Sequence, residues 1–345
     1  MLFSKPKSQL GVDIGSSNIK IAQLRPKDNQ FVLETYGMVN VSYQIGNKDP
    51  NSVKNTADLL KKLLEKAGVT TNKIVASLPN NSVFTSVIEM PKMPDSELKT
   101  AVEFEAKKYV PLPLQEVALS WSVIGDKKAK PEGNMTEARV KVLLTAVPTT
   151  VIDNYLQVFK LAGLEAEALE IEALALIRSL IGEDLKNNIL IDIGAKSTSV
   201  NLVDSGYLRL SKNLNVGGDT ITASLAQSLS VNFARAEQFK KDFGLSSTAT
   251  QIPQVMRPIL DVIKNEAGQL ISLFESRGQQ IDKIILSGGG SKLPSLREYL
   301  ITLGKPVIAA NPWARVLFPE KLKPIIEPLG LNLAVAMGLA MRPTN

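Results

Sequence analysis

One phrase occurs twice in this chain. VDIGSSNIKIAQL begins at Val12 and IDIGAKSTSVNLV at Ile191, so Asp13 and Asp192 lie 179 positions apart in 345 residues. An internal repeat at half-length predicts two related structural units rather than two unrelated domains. Each copy reads as a three-strand meander. The first has strands at 9–14, 19–24 and 31–41, the second at 188–193, 198–203 and 207–216. Apolar and β-branched residues fill these runs, and Gly, Pro, Asn and Ser separate them.

The rest of the chain alternates helices with strands, which predicts an α/β fold. An amphipathic helix over 51–68 ends at Gly68, and 73–78 is a strand. A charged helix over 96–109, capped by Asp95 or Ser96, stops at Pro111 and Pro113. Strands follow at 117–124 and 137–147, joined by a polar tip at 125–134. Helices are expected at 149–162, 167–181, 220–229, 232–243 and 255–277, the last with Pro258 in its first turn. A strand at 283–286 runs into Ser287-Gly288-Gly289-Gly290. A helix at 296–303, a strand at 307–309 and a closing helix at 332–341 complete the chain.

Composition removes several kinds of chemistry. There is no histidine and no cysteine. That excludes disulfides, thiol nucleophiles, Cys/His zinc sites and a Ser-His-Asp triad. A bound metal must have oxygen ligands, as Mg²⁺ and Ca²⁺ do. A general base must be a carboxylate, lysine, tyrosine or water. The net charge of +6 comes from scattered lysines, and aromatics are only 5%, so solvated faces are favoured over a nucleic-acid groove. A weak attraction to an anionic membrane surface stays open. No segment reaches the length of a membrane span: 329–341 is short and contains Asn332. The N-terminus lacks the apolar core of a signal peptide. A cytoplasmic protein is expected, with no direct membrane insertion and no nucleic-acid partner.

Five constellations could carry function. Asp13 ends a buried strand, where a carboxylate needs a partner or a task. The turn after it, Gly15-Ser16-Ser17-Asn18, offers N–H groups and hydroxyls to a phosphate, and Lys20 follows on the next strand. The set suits a polyphosphate with Mg²⁺ hydrated by the carboxylate; taken alone, it is equally an ordinary Asp-Ile-Gly turn. Asp192-Ile193-Gly194, with Ser197 and Thr198, repeats it, and two such turns can clamp one phosphate chain from both sides. Gly217-Gly218-Asp219 precedes a helix and leaves N–H groups for an anion, or is a plain strand-to-helix turn. Glu237 and Lys240 share a helix face, to grip a ribose and base or to form a surface ion pair. Gly288, Gly289 and Gly290 let a flat ligand lie against the backbone. Neither a P-loop nor G-x-G-x-x-G is present.

In this order DIGSSNIK, DIGAKST, GGD, AExxK, LSGGG and the closing helix LAVAMGLA resemble the actin-like ATPase superfamily over nearly the whole chain. The resemblance implies two related α/β lobes, each opening with the meander, and a small α+β subdomain inserted in the first. The implied boundaries are 1–84 with 147–186 for the first lobe, helix 331–345 packing back on it, 85–146 for the insertion, and 187–330 for the second lobe, of which 219–280 is a helical subdomain. It implies ATP and Mg²⁺ between the lobes. Asp13 and Asp192 would hold the ion through water. Gly15, Ser16, Ser17, Asn18, Lys20 and Gly194 would meet the phosphates. Gly217, Gly218, Asp219, Glu237, Lys240, Gly288, Gly289 and Gly290 would meet ribose, base or α-phosphate. Hydrolytic relatives place a Glu or Gln of the connecting helix beside the attacking water; Glu170 is the candidate here, with Glu172 close by. At most slow turnover is implied.

Within the superfamily, 11–20 and MPDSELKTAVEFEAKKYVPLPLQEVAL (93–119) resemble the PilM family of type IV pilus assembly, and Glu170–Ala175 resembles that family's next helix. That implies a partner, the N-terminal cytoplasmic tail of a PilN-like inner-membrane protein, in a groove between first lobe and insertion. Phe104, Tyr109, Val110, Pro111 and Leu112 supply apolar material for it. The location implied is peripheral, at the inner face of the membrane, in a pilus or related type II secretion platform. A division or cytoskeletal filament and a small-molecule kinase of the sugar-kinase type are the alternatives. Against an FtsA-like division role, the sequence ends at Met341-Arg342-Pro343-Thr344-Asn345 without an amphipathic helix.

Overall fold

The structure is a computed structural model that describes residues 7–41, 45, 51–125, 139–246 and 251–343. Strands β1 (Gln9–Ile14), β2 (Asn18–Lys27) and β3 (Gln30–Asn40) form the first meander. Helix α1 (Ser52–Ala67) buries Ala57, Leu60 and Leu63 on one face and ends at Gly68 in the left-handed region, φ 64°, where glycine costs least. It delivers β4 (Lys73–Leu78) parallel to β1.

The chain then builds a small separate sheet. Strands β5 (Phe84–Pro91), β6 (Val117–Ile124) and β7 (Arg139–Pro148) pair antiparallel in the order β5-β7-β6, with helix α2 (Asp95–Tyr109) packed on them through Leu98, Val102 and Ala106. Strand β5 was not expected from the sequence, because Ser86, Glu89 and Pro91 interrupt its apolar pattern. The polar tip at 125–134 lies outside the described residues beyond Gly125.

Helix α3 (Thr149–Leu161) returns the chain to the first sheet, followed by β8 (Glu165–Ile171) and α4 (Glu172–Leu180). Here the sequence expectation of one helix over 167–181 is corrected. EAEALEI is built from good helix formers, but parallel pairing with the edge of β4 makes it a strand; tertiary context overrides propensity.

The second meander consists of β9 (Asn188–Ile193), β10 (Thr198–Asp204) and β11 (Tyr207–Leu214). Helices α5 (Gly218–Ser228), α6 (Phe233–Phe243) and α7 (Gln251–Glu275) follow. Helix α7 begins at Gln251, so Pro258 lies inside it rather than in its first turn. Strand β12 (Lys283–Ser287) stands parallel to β9 as β4 stands parallel to β1. After α8 (Leu296–Ile301) and β13 (Val307–Ala309), β14 (Val316–Leu317) already pairs with β3. The return to the first sheet therefore precedes the expected position 331. Short α9 (Lys323–Ile326) leads into α10 (Gly330–Ala340). The sheet orders are β14-β3-β2-β1-β4-β8 and β11-β10-β9-β12-β13.

Helix α10 holds the halves together. After Asn332 it is apolar all round, as a core helix must be, and positions 333–340 are all buried. The stretch Glu320–Ala340 is long and apolar enough to cross a membrane by composition, contrary to the sequence expectation; its apolar part is this core helix. A side chain at Gly11 would put Cβ 2.0 Å from the Ala336 oxygen, and one at Gly338 would put it 1.9 Å from the Ala175 oxygen. Backbone therefore meets backbone where α10 crosses β1 and α4. Val75, Leu176, Leu190, Ile285 and Leu339 join one apolar cluster that spans both large sheets.

Candidate functional site

The two repeats end in the same hairpin. Gly15 N donates to the Asn18 carbonyl at 3.0 Å, and Gly194 N to the Ser197 carbonyl at 2.9 Å. Asp13 and Asp192 sit one strand residue before the turns, across from Lys20 and Ser199 respectively. Parallel neighbours complete the likeness: the Ser77 hydroxyl donates to Asp13 at 2.9 Å, and Ser287 is in register with Asp192.

Both hairpins open into one cleft of about 810 Å³. At its first-sheet end stand Asp13, Gly15, Ser16, Ser17, Asn18 and Lys20. From the second sheet come Asp192 and Gly194, then Gly218 and Asp219, Glu237 and Lys240, and the run Gly288, Gly289, Gly290. Gly217 lies just behind, buried at the start of α5. A Cβ there would fall 2.6 Å from the Ala195 oxygen, and one on Gly288, at φ +81°, would fall 2.4 Å from the Ile193 oxygen. Two loops can press this close on the second hairpin only as glycine.

Charges in the cleft are partnered in a graded way. Lys20 Nζ is 2.8 Å from Asp13, whose side chain is 3% exposed. Burial acts to lower the Lys20 ammonium, but the Asp13 charge and hydrogen bond outweigh it and hold it above its ordinary value. Burial pushes the Asp192 carboxyl up. Glu172, at the start of α4, is pushed well up by burial and then by the charges of Asp13 and Asp192. Burial pushes the Tyr155 phenol up too, with Glu172 and Asp13 adding to it. On the opposite wall, Lys240 Nζ is 2.6 Å from Glu237, 2.7 Å from Thr222 Oγ1 and 2.9 Å from the Gly218 oxygen. Burial works to raise Glu237, but the Lys240 and Thr222 hydrogen bonds prevail and lower it.

Glu170 is placed elsewhere. It lies on β8, 8% exposed, and accepts two hydrogen bonds from Arg178, at 2.7 and 3.0 Å, and one from Arg342 at 3.3 Å. It does not line the cleft; Glu172 does. Two residues further along a strand would point to the same face, but here the strand ends at Ile171 and Glu172 opens α4, so the two side chains part. Sequence reading also missed Asn80, which donates to Glu172 at 2.6 Å. Its signal was positional: β4 lies beside β1, so the Pro-Asn-Asn after it opens at the same strand ends, where α/β sheets bind ligands. Lys292 and Asn332, linked at 2.8 Å, line the far end and were missed as well. Of the apolar residues on the insertion, Val110 is buried in its core, while Phe104, Tyr109 and Leu112 are 62%, 45% and 42% exposed.

The family model of "Type IV pilus assembly protein PilM" matches residues 11–344. The chain belongs to the PilM family. A solved structure of a PilM-PilN type IV pilus biogenesis complex superposes with a TM-score of 0.84 at 27% identity, covering 98% of each chain. The cell division protein FtsA of Streptococcus pneumoniae is 24% identical over 331 residues, 84% of this chain and 72% of that protein. The MreB5 protein of Spiroplasma citri, solved bound to ADP, shares the fold at 12% identity, with a TM-score of 0.52 over 97% of this chain and 95% of that one. The fold of this PilM-family chain is thus the actin-like ATPase fold, and its place is in type IV pilus assembly.

Proposed function

We propose that this chain is an ATP-binding scaffold of the pilus platform at the inner face of the membrane, held there by the N-terminal tail of a PilN-like protein. One observation carries the nucleotide reading: two hairpins of the same geometry, each with an aspartate at its base, open into a single cleft. Their turn N–H groups and the serines suit phosphate oxygens. Lys20 stands where a β- or γ-phosphate would need a cation. Lys240, Glu237 and the glycines of 288–290 form the opposite wall, suited to a ribose and a flat base.

The donor set also fits magnesium. Among the described residues no three acidic side chains converge as direct ligands. Two aspartates on facing turns suit an ion that keeps its waters, as Mg²⁺ does; Asp13 and Asp192 would hold it through them. The ion would supply charge neutralisation of the phosphates. Asp13 is already oriented by Ser77 and Lys20, so it needs little reorganisation. Glu172 is the carboxylate placed to orient a water at the phosphate end, whereas Glu170 is committed to two arginines.

The partner reading is supported by the likeness to the chain of a PilM-PilN complex and by the exposed apolar side chains beside α2. Titration with a synthetic tail peptide of a PilN-like protein tests it. Saturable binding that Phe104→Ala or Leu112→Ala weakens is expected; no binding in the presence of Mg·ATP overturns it.

A further inference from the structure

Residues 79–83 cross from the cleft to the insertion, and they are tied from both sides. Asn80 Nδ2 donates to Glu172 Oε2 at 2.6 Å, at the start of α4. The Asn80 carbonyl accepts from Asn213 Nδ2 at 2.9 Å, and Asn213 belongs to β11 of the second sheet. The same carbonyl closes a short turn with Val83 N at 3.3 Å, immediately before β5 begins. Pro79, Asn80, Asn81 and Ser82 all line the cleft, and β5 packs beside β11. A single asparagine thus meets a cleft carboxylate at the start of α4, a side chain of the second sheet, and the residue that leads into the first strand of the insertion.

We infer that residues 79–83 form a strap across the mouth of the cleft, latched by Asn213 to the second sheet, and that the latch slows escape of the bound nucleotide. Moving residues 79–83 away from the second sheet must break the Asn213–Asn80 bond, because Asn213 is fixed on β11 while Asn80 lies in the turn between β4 and β5. Once it breaks, the side-chain bond to Glu172 and the turn's own bonds remain at Asn80, and the tie from the strap to the Asn213 side chain is gone. Asn213 itself does not line the cleft, so its side chain acts on ligand escape through the strap and not by contact. The bond is exposed, and a solvent-accessible hydrogen bond of this kind corresponds to a change of roughly fivefold in a rate.

This inference rests on the nucleotide reading, and the experiment separates the two. The full chain is loaded with a fluorescent ATP analogue and Mg²⁺, then chased with excess ATP. Asn213→Ala is expected to release the analogue roughly fivefold faster, while Lys212→Ala, its exposed neighbour, releases at the wild-type rate. In the nucleotide-free protein, Asn213→Ala is expected to speed hydrogen exchange at the amides of residues 81–83, and Lys212→Ala is not. Release by Asn213→Ala within twofold of wild type, unchanged exchange at the strap, or equal effects from Lys212→Ala would overturn the latch. If the wild-type chain holds no analogue, the nucleotide reading fails and the escape claim fails with it, while exchange still decides whether Asn213 holds the strap.

Discussion

Lys20 and Asp13 face each other across the first hairpin with 2.8 Å between ammonium and carboxylate. The second hairpin has Ser199 at the position of Lys20, so Asp192 has no lysine across its strand pair. The two repeats therefore share a backbone but not a charge pattern. The first carries a fixed counter-ion across its strand pair, and the second does not.

Lys20→Met should accordingly cost both stability and affinity. Asp13 would stay buried, with Ser77 its remaining side-chain hydrogen-bond partner among the described residues. Breaking such a buried pair costs about 3 kcal/mol, read as a shift in the urea midpoint. Nucleotide affinity should fall about tenfold or more, since a charge-assisted contact to phosphate is lost with it.

Glu170 and Glu172, two positions apart, should behave in opposite ways. Glu170→Ala leaves Arg178 and Arg342 without their carboxylate and should destabilise the fold by about 3 kcal/mol, with nucleotide affinity within twofold of wild type. Glu172→Gln should leave the urea midpoint within about 1 kcal/mol, because the amide oxygen can still accept from Asn80, yet alter nucleotide binding. Denaturation and ligand titration on the same two proteins distinguish the roles.

How far the sequence reveals this site follows from those same residues. The repeat exposes both hairpins, because a strand ending in Asp-Ile-Gly has a local cause and a local spacing. The glycines at 217, 218 and 288–290 are legible for the same reason. Glu170 was read as a helical residue because Ala, Glu and Leu favour helix. Only the parallel edge of β4 turns that segment into a strand and sends Glu170 to the arginines. Asn80 and Asn213 were invisible because their partnership joins a turn to a strand 133 positions away and has no periodicity. Strand β5 was hidden in the same way: it is fixed by pairing with β7, not by its own alternation.

Glu237 gives a pH dependence with a definite sign. Its carboxyl is held below the ordinary value, so the ionised form stabilises the fold above the unfolded carboxylate value of about 4.3. That contribution is lost as pH falls through the lower, folded value. The stability difference between wild type and Glu237→Gln should be constant from pH 8 to about pH 5 and vanish at lower pH. Thermal melts of both proteins across that range provide the check.

Gly338→Ala tests the crossing of α10 and α4. The new methyl would need the space of the Ala175 carbonyl, and overpacking of this kind costs about 1–3 kcal/mol. A midpoint equal to wild type would show that the two helices can part without loss.

The central claim is that the two hairpins bind one magnesium nucleotide between them. Titration calorimetry of the full chain with Mg·ATP tests it most directly, comparing wild type with Asp13→Asn. Saturable one-to-one binding by wild type and a loss of about 100-fold in affinity for the variant are expected. No saturable binding by wild type, or an unchanged affinity in Asp13→Asn, would contradict it.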